Sequence, residues 1–407
     1  LTAGWRRGGW DLATIACRAR ASTGDEDDES QEEDTETERE AATTDDEDVN
    51  SAEDQSDEDQ SQSDDGNKTE VLDELDDLFA LLAQQRRGET LFAQEMQKPD
   101  EDIDLAKAAM YVAMHRRPDE ARVADAVEEL DQLAAELEKT LPPPEDRFPL
   151  RTLKAISRYM FDTLEFKGNA EEFYDPRNSC LDEVLARRTG IPITLSLVYM
   201  ELAKRVGVPM VGVNLPAHFM IRPVVEDMEV LVDCFNDGEL KFVEDVEDML
   251  RKFYTMGDAD KLTIDRSFFT DNSVKPRAFL TRLLTNLKQI YFNDDEFGAA
   301  LQIVAYQSHC APDDKVALFN RRDGGICLFL MQRYEEALEE LTGFVSDAEV
   351  EGVWEGNDTS KAQIVQMIDH AKTQVARESV KRSVEGALGQ SDSMLVESDD
   401  DEDAAAK

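Results

Sequence analysis

Between Asp175 and Asp233 the hydrophobic period of this 407-residue chain changes once, and that change restricts it to a mixed fold. Pro192 opens a helical pattern with Leu195, Val198, Tyr199, Leu202 and Val206 at i, i+3, i+4, i+7 and i+11. This stripe reads as core, and Gly207 is placed to end it. From Met210 the spacing becomes that of strands. Residues 210–215, 218–222 and 229–233 are short β-rich runs separated by Pro and charged turns. The expectation is an α+β domain, mostly helical, with a small antiparallel sheet, occupying residues 68–265.

The helices before the switch follow from spacing and punctuation. Leu72, Leu75, Phe79 and Leu82 recur at helical intervals and predict a helix over about 69–84. Two more are expected over 104–115 and 119–137. Pro118 sits where a first turn tolerates it, and Pro142-Pro-Pro144 ends the pair. Leu153, Ile156, Met160 and Leu164 share one face of a further helix over 150–164. Asn178-Ser179 makes a good N-cap, with Asp182 in capping-box position, for a short helix over 180–188 that stops at Gly190.

Past Ser273 the pattern is helical again. Phe297-Gly-Ala-Ala-Leu301 and Tyr334-Glu-Glu-Ala-Leu338 repeat aromatic-x-x-Ala-Leu 37 residues apart. That period is near the ~34 residues of tetratricopeptide hairpins. A TPR-like helical array is expected over 270–350, then one capping helix within 351–378 and an acidic, disordered tail to Lys407.

Charge settles which partners are excluded. The net charge is −47, and it is uneven. Residues 25–65 hold 22 acids against Arg39, and 392–407 hold seven acids against Lys407. Residues 23–67, with almost nothing apolar, predict a disordered acidic linker. Such a surface repels phosphate backbones and anionic lipids, so no nucleic acid and no membrane partner is expected. A protein or peptide partner is. Residues 1–22 are different: four Arg, one Asp and many small residues, closing on Ile15-Ala-Cys-Arg-Ala-Arg-Ala21. They look like a transit peptide, which predicts the chloroplast stroma, with the cytoplasm as alternative. Five scattered cysteines (17, 180, 234, 310, 327) show no framework spacing and predict reduced thiols.

A specific set of motifs remains. It comprises Asp175-Pro-Arg-Asn-Ser179, Arg187-Arg188-x-Gly190-Ile-Pro192, Leu195-Ser196, Tyr199, Gly207-x-Pro209, Leu215-Pro-x-His-Phe219 and Asp233. This set resembles the SirB family of transglutaminase-like proteins, a branch of the papain-like Cys-His-Asp superfamily. The resemblance spans roughly residues 100–350 and implies a helical array after the domain. It also implies a nucleophilic Cys opening a helix, with a His and an Asp on successive strands. His218 and Asp233 match the latter two positions. Where the Cys would fall the chain reads Ile193-Thr-Leu-Ser196.

A helix N-terminus can bring a thiol to thiolate near neutral pH, but not a hydroxyl. Thr194 and Ser196 therefore read as cap hydroxyls before they read as nucleophiles. A Ser-His-Asp arrangement with Ser196, His218 and Asp233 is the catalytic alternative. Cys180, opening its own helix after Asn178-Ser179, is a second candidate nucleophile; a buried structural thiol is the plainer reading. Arg177, Asn178, Arg187, Arg188, Tyr199 and Arg222 are candidate binding residues. The arginines suit a carboxylate or an extended peptide, and equally suit internal ion pairs with Asp175, Asp182 and Glu183. Cys-x-x-Cys, His-x-x-x-His and glycine-rich phosphate-loop patterns do not occur, so no metal and no cofactor is expected. The sequence thus predicts a catalytically altered transglutaminase-like module that binds a peptide, with an active hydrolase or acyltransferase and a non-catalytic scaffold as alternatives.

Overall fold

The structure, a computed structural model, describes residues 60–215, 218–225, 228–253, 273–310, 314–352, 354 and 358–396. The expected transit segment, most of the acidic linker and the last residues of the tail lie outside them. Of the described residues, those from Gln84 onward form one compact unit and those before it belong to a second.

The first helix, α1 (Gln60–Glu95), starts nine residues earlier and ends eleven later than the spacing predicts. Its first turns, 60–67, are helical where a disordered linker is expected. α2 (Leu105–Ala113) is capped by the Asp104 carboxylate, which accepts from the Lys107 backbone N–H at 3.1 Å. α3 (Ala121–Glu138) follows. α4 (Pro149–Ser157) runs on into a π-helical turn over Arg158–Thr163, so the single helix expected to Leu164 widens in its last turns.

A two-residue strand β1 (Lys167–Gly168) pairs in parallel with β2 (Thr189–Gly190). Between them stand a 3-10 turn, Pro176–Ser179, and α5 (Leu181–Arg187). Here the expected capping fails. Cys180, in extended conformation, is the N-cap, and the Ser179 hydroxyl is buried with no hydrogen bond. The 3-10 turn uses up the residues that sequence logic assigned to the cap. Arg188, with φ 53°, supplies the left-handed stop, freeing Gly190 for β2. α6 (Pro192–Arg205) is buried from Ile193 to Ala203, and Gly207 (φ 84°) ends it as expected.

The sheet has five strands: β3 (Met210–Leu215), β4 (His218–Pro223), β5 (Val230–Asp233), β6 (Glu239–Phe242) and β7 (Ser273–Val274). Their order is β6-β5-β4-β3-β7, with every described neighbour pair antiparallel. β6 and β7 have no clear sequence signal, being short and only partly buried. α7 (Val243–Phe253) covers one sheet face, where Val243 and Val246 pack with Val213, Leu215, Met220 and Leu231. The other face meets α6, and Phe219 stacks edge-on against Phe279 of the next helix, α8 (Pro276–Asn293).

After α8, the helices α9 (Phe297–Cys310), α10 (Asp314–Leu330), α11 (Tyr334–Val350) and α12 (Asp358–Val396) each pack on the one before. The two aromatic-x-x-Ala-Leu segments open α9 and α11, and Ala300 and Ala337 are fully buried. α12 is far longer than the cap expected within 351–378. No helix among the described residues is long and apolar enough to cross a membrane.

Candidate functional site

His218 opens β4 and Asp233 closes β5. Alternation along the strands puts both on the face that α7 covers. His218 lies directly across from Leu215, and Asp233 lies two residues past Leu231, both members of the α7 cluster. His218 Nε2 and Asp233 Oδ1 are 2.9 Å apart. The Asp233 side chain is fully buried, while that of His218 keeps 17% of its surface exposed.

The acid is held from three sides. Oδ1 also accepts from the Phe235 backbone N–H at 3.2 Å, and Oδ2 from the Asn236 amide at 2.7 Å. The turn behind it passes through two left-handed residues, Asp237 (φ 54°) and Gly238 (φ 68°). Gly238 is obligatory, because a Cβ there would stand 2.6 Å from the Phe161 ring. Ser157 Oγ donates to the Gly238 carbonyl at 2.9 Å and fixes the turn to α4. Burial disfavours charge on Asp233, yet the His218 hydrogen bond and charge, the Asn236 amide and more distant Lys241 hold its carboxyl below the usual range.

An ionised Asp233 accepts, so neutral His218 carries its proton on Nε2 and presents Nδ1 as a lone pair. The His218 carbonyl accepts from Arg282 of α8 at 3.1 Å, and the same guanidinium stands over the Phe219 ring. Burial lowers Arg282 to about 10. Asn236 and Arg282 escaped the sequence reading. An Asp-x-x-Asn-Asp-Gly turn could have flagged the first; nothing local flags the second.

The candidate nucleophiles are not brought to this dyad. Thr194 Oγ1 accepts from the Ile191 N–H at 3.1 Å and donates to the Asn178 carbonyl at 2.7 Å, the work of a helix cap. Ser196 is fully buried on α6, which meets the sheet face opposite the dyad. Its hydroxyl forms no hydrogen bond of normal geometry and lies by the Cys234 thiol. Cys180 is buried with its thiol directed at the Pro176 carbonyl, 3.5 Å away. Burial first, and the nearby Asp182 charge second, push that thiol far up, opposite to the shift a nucleophile needs. Burial does the same to Cys234.

The candidate binding residues are engaged internally. Arg177 Nη2 pairs with Asp175 at 2.7 Å. Arg187 reaches Asp175 and Glu183, each at 3.5 Å, and donates to Asn178 Oδ1 at 2.9 Å. Asn178, fully buried, donates to the Glu172 carbonyl at 2.7 Å. Arg188 pairs with Glu129 at 2.9 Å over the Phe166 ring. Tyr199 is core, its hydroxyl donating to the Leu153 carbonyl at 2.8 Å. Arg222 donates to Ser273 Oγ at 2.7 Å. Asp182, expected to pair among these arginines, takes Arg122 of α3 at 3.0 Å instead. Among the described residues no three His, Cys, Asp or Glu side chains converge as a metal site.

A fold in which a helix backs a small sheet carrying His and Asp on successive strands is that of a transglutaminase-like domain, and the model of the transglutaminase-like superfamily matches residues 124–285. A UPF0162 protein of Xylella fastidiosa (strain Temecula1) is 32% identical over 250 residues, 60% of this chain and 84% of its own. The chain belongs to the UPF0162 family, the SirB-like group its motifs resemble. A UPF0162 protein of Vibrio cholerae is 26% identical over 250 residues, covering 60% of this chain and 88% of that one. F-box only protein 21 of Homo sapiens is 27% identical over 187 residues, 39% of this chain but 30% of the human protein. No solved structure matches the chain.

Proposed function

We propose that this protein is a catalytically altered transglutaminase-like module that binds a peptide or protein segment at the His218–Asp233 dyad. One observation carries the reading: the dyad is assembled and partly open, while Cys180, Thr194, Ser196 and Cys234 are all sealed from solvent. A tautomer-fixed imidazole with no adjacent thiol is suited to accepting a hydrogen bond from a bound chain. Acyl transfer needs a nucleophile within ~3 Å of the base, or somewhat more in an unliganded site.

The test pairs labelling with binding. Native protein treated with iodoacetamide and with a fluorophosphonate is expected to stay unlabelled at all four positions. Labelling of any one of them that His218→Ala abolishes would establish the active hydrolase or acyltransferase instead. Partners captured by the full chain are expected to be lost on His218→Ala; unchanged capture would hand the binding role to the helices.

Two finer elements complete the proposal. Recruitment of a second partner by TPR-like helices is supported by the repeat that opens α9 and α11. Residence in the chloroplast stroma is supported by the Arg-bearing, small-residue composition of residues 1–22, against the cytoplasm.

A further inference from the structure

Three arginines that the motifs did not single out, Arg116, Arg117 and Arg122, join Arg177 and Arg187 at one corner of the domain. Shared partners tie them together. Glu183 takes Arg117 at 2.8 Å and Arg187 at 3.5 Å. Asp175 takes Arg187 and Arg177. Asp182, beside Glu183 in the chain, takes Arg122. Arg116 of the α2–α3 connection donates to the Tyr291 hydroxyl at 3.4 Å, within electrostatic reach of Asp175 and Cys180. Glu172 is the remaining acid in reach of Arg177.

Four of the five guanidinium groups, those of Arg117, Arg122, Arg177 and Arg187, therefore share three carboxylates at ion-pair distance: Asp175, Asp182 and Glu183. Among the described residues no carboxylate stands within ion-pair distance of Arg116, and Arg117 and Arg177 are each about half exposed. On a chain of net charge −47 this corner gathers five guanidinium groups. At physiological ionic strength charges beyond ~8 Å are largely screened, so these guanidinium groups, and not the distant acidic segments, govern what docks here.

We propose that this arginine corner is a docking surface for an anionic peptide segment, whose carboxylates or phosphates engage the outward N–H groups of Arg116, Arg117 and Arg177. Guanidinium forks favour oxyanions that accept two hydrogen bonds at once. Glu183 behind Arg117, Asp175 behind Arg177 and the Tyr291 hydroxyl behind Arg116 hold the forks in place. This surface is built from the α2–α3 connection, the start of α3, the 3-10 turn and α5, and does not depend on the dyad.

The test is fluorescence anisotropy of the full chain with three labelled peptides: one of alternating Asp and Ser, the same peptide phosphorylated on its serines, and an Asn/Ser control. Both anionic probes are expected to bind at ~0.15 M salt and the control not to. Affinity should fall at least about tenfold in the Arg116→Gln/Arg177→Gln double variant and recover partly in the Lys versions. Binding of the phosphorylated probe alone would assign the site to phosphate; equal binding would make carboxylates sufficient. On the unaltered chain, bound probe should shield Arg116, Arg117 and Arg177 from phenylglyoxal, read by mass spectrometry, whatever the variants' folding. No anionic binding above the control, undiminished binding in the double variant, or protection elsewhere overturns the proposal.

Discussion

Two buried carboxylates, one in the sheet and one in the helical array, show how differently this fold treats the same group. Asp323 of α10 is enclosed by cations: Lys288 of α8 at 2.6 Å and Arg322 at 2.6 Å. Burial works against its charge, but Arg322 and Lys288 keep it ionised. Asp233 is equally buried, yet its partners are an imidazole, an amide and a backbone N–H. The first arrangement cancels charge and locks two helices together. The second holds an imidazole whose side chain stays partly open to solvent. Charge cancelled in the core serves architecture; charge beside a partly open imidazole is what the proposed binding role uses.

The sharpest way to break this comparison is to remove each acid. Asp323→Ala leaves Lys288 and Arg322 buried without a counter-charge, and should cost about 3–5 kcal/mol in urea unfolding. A loss below ~1 kcal/mol would show that the array tolerates the pair's absence.

A buried base at the junction of the two regions comes next. His115 accepts from the Tyr291 hydroxyl at 2.6 Å through Nε2 and donates to the Val112 carbonyl at 2.6 Å through Nδ1. Burial lowers it from 6.5 to about 4. Because the folded value lies below the unfolded one, its stabilising contribution is complete above pH ~6.5. It falls away as the pH drops towards 4, by on the order of 3 kcal/mol. His115→Gln should flatten that limb of the stability–pH curve; an unchanged limb would assign it to other groups.

Asp233→Asn follows, at about 1–3 kcal/mol. Its signature is spectroscopic: the His218 ring nitrogens should lose the Nε2–H preference in 15N NMR. A retained preference would mean that the surroundings, not the acid, fix the tautomer. Smallest of all, Ser196→Ala should change stability by no more than ~0.5 kcal/mol, since its hydroxyl has no hydrogen bond of normal geometry to lose. A large loss would reveal a partner for that oxygen.

The sequence carried the fold where side-chain period reports burial. The α6 stripe, the runs that became β3 to β5 and the Gly207 stop are all legible because 3.6- and 2-residue periods map directly onto faces. It failed where geometry depends on distant residues. β7 is two residues long and exists because β3 offers an edge to Ser273 and Val274. The Cys180 cap displaced Asn178-Ser179 because the preceding four residues wind into a 3-10 turn, which no local preference announces. At the candidate site, His218 and Asp233 were visible as motif positions. Their isolation from Ser196 was not, since a strand run says which residues share a face but not which helix covers it.

The bend after Asp233 has a consequence for how the dyad can vary. With Gly238 seated on the Phe161 ring, and that ring presented by the π turn, the angle between acid and imidazole is dictated from a helix more than seventy positions earlier in the chain. Repacking Phe161 would re-aim the carboxylate without altering any atom that touches it.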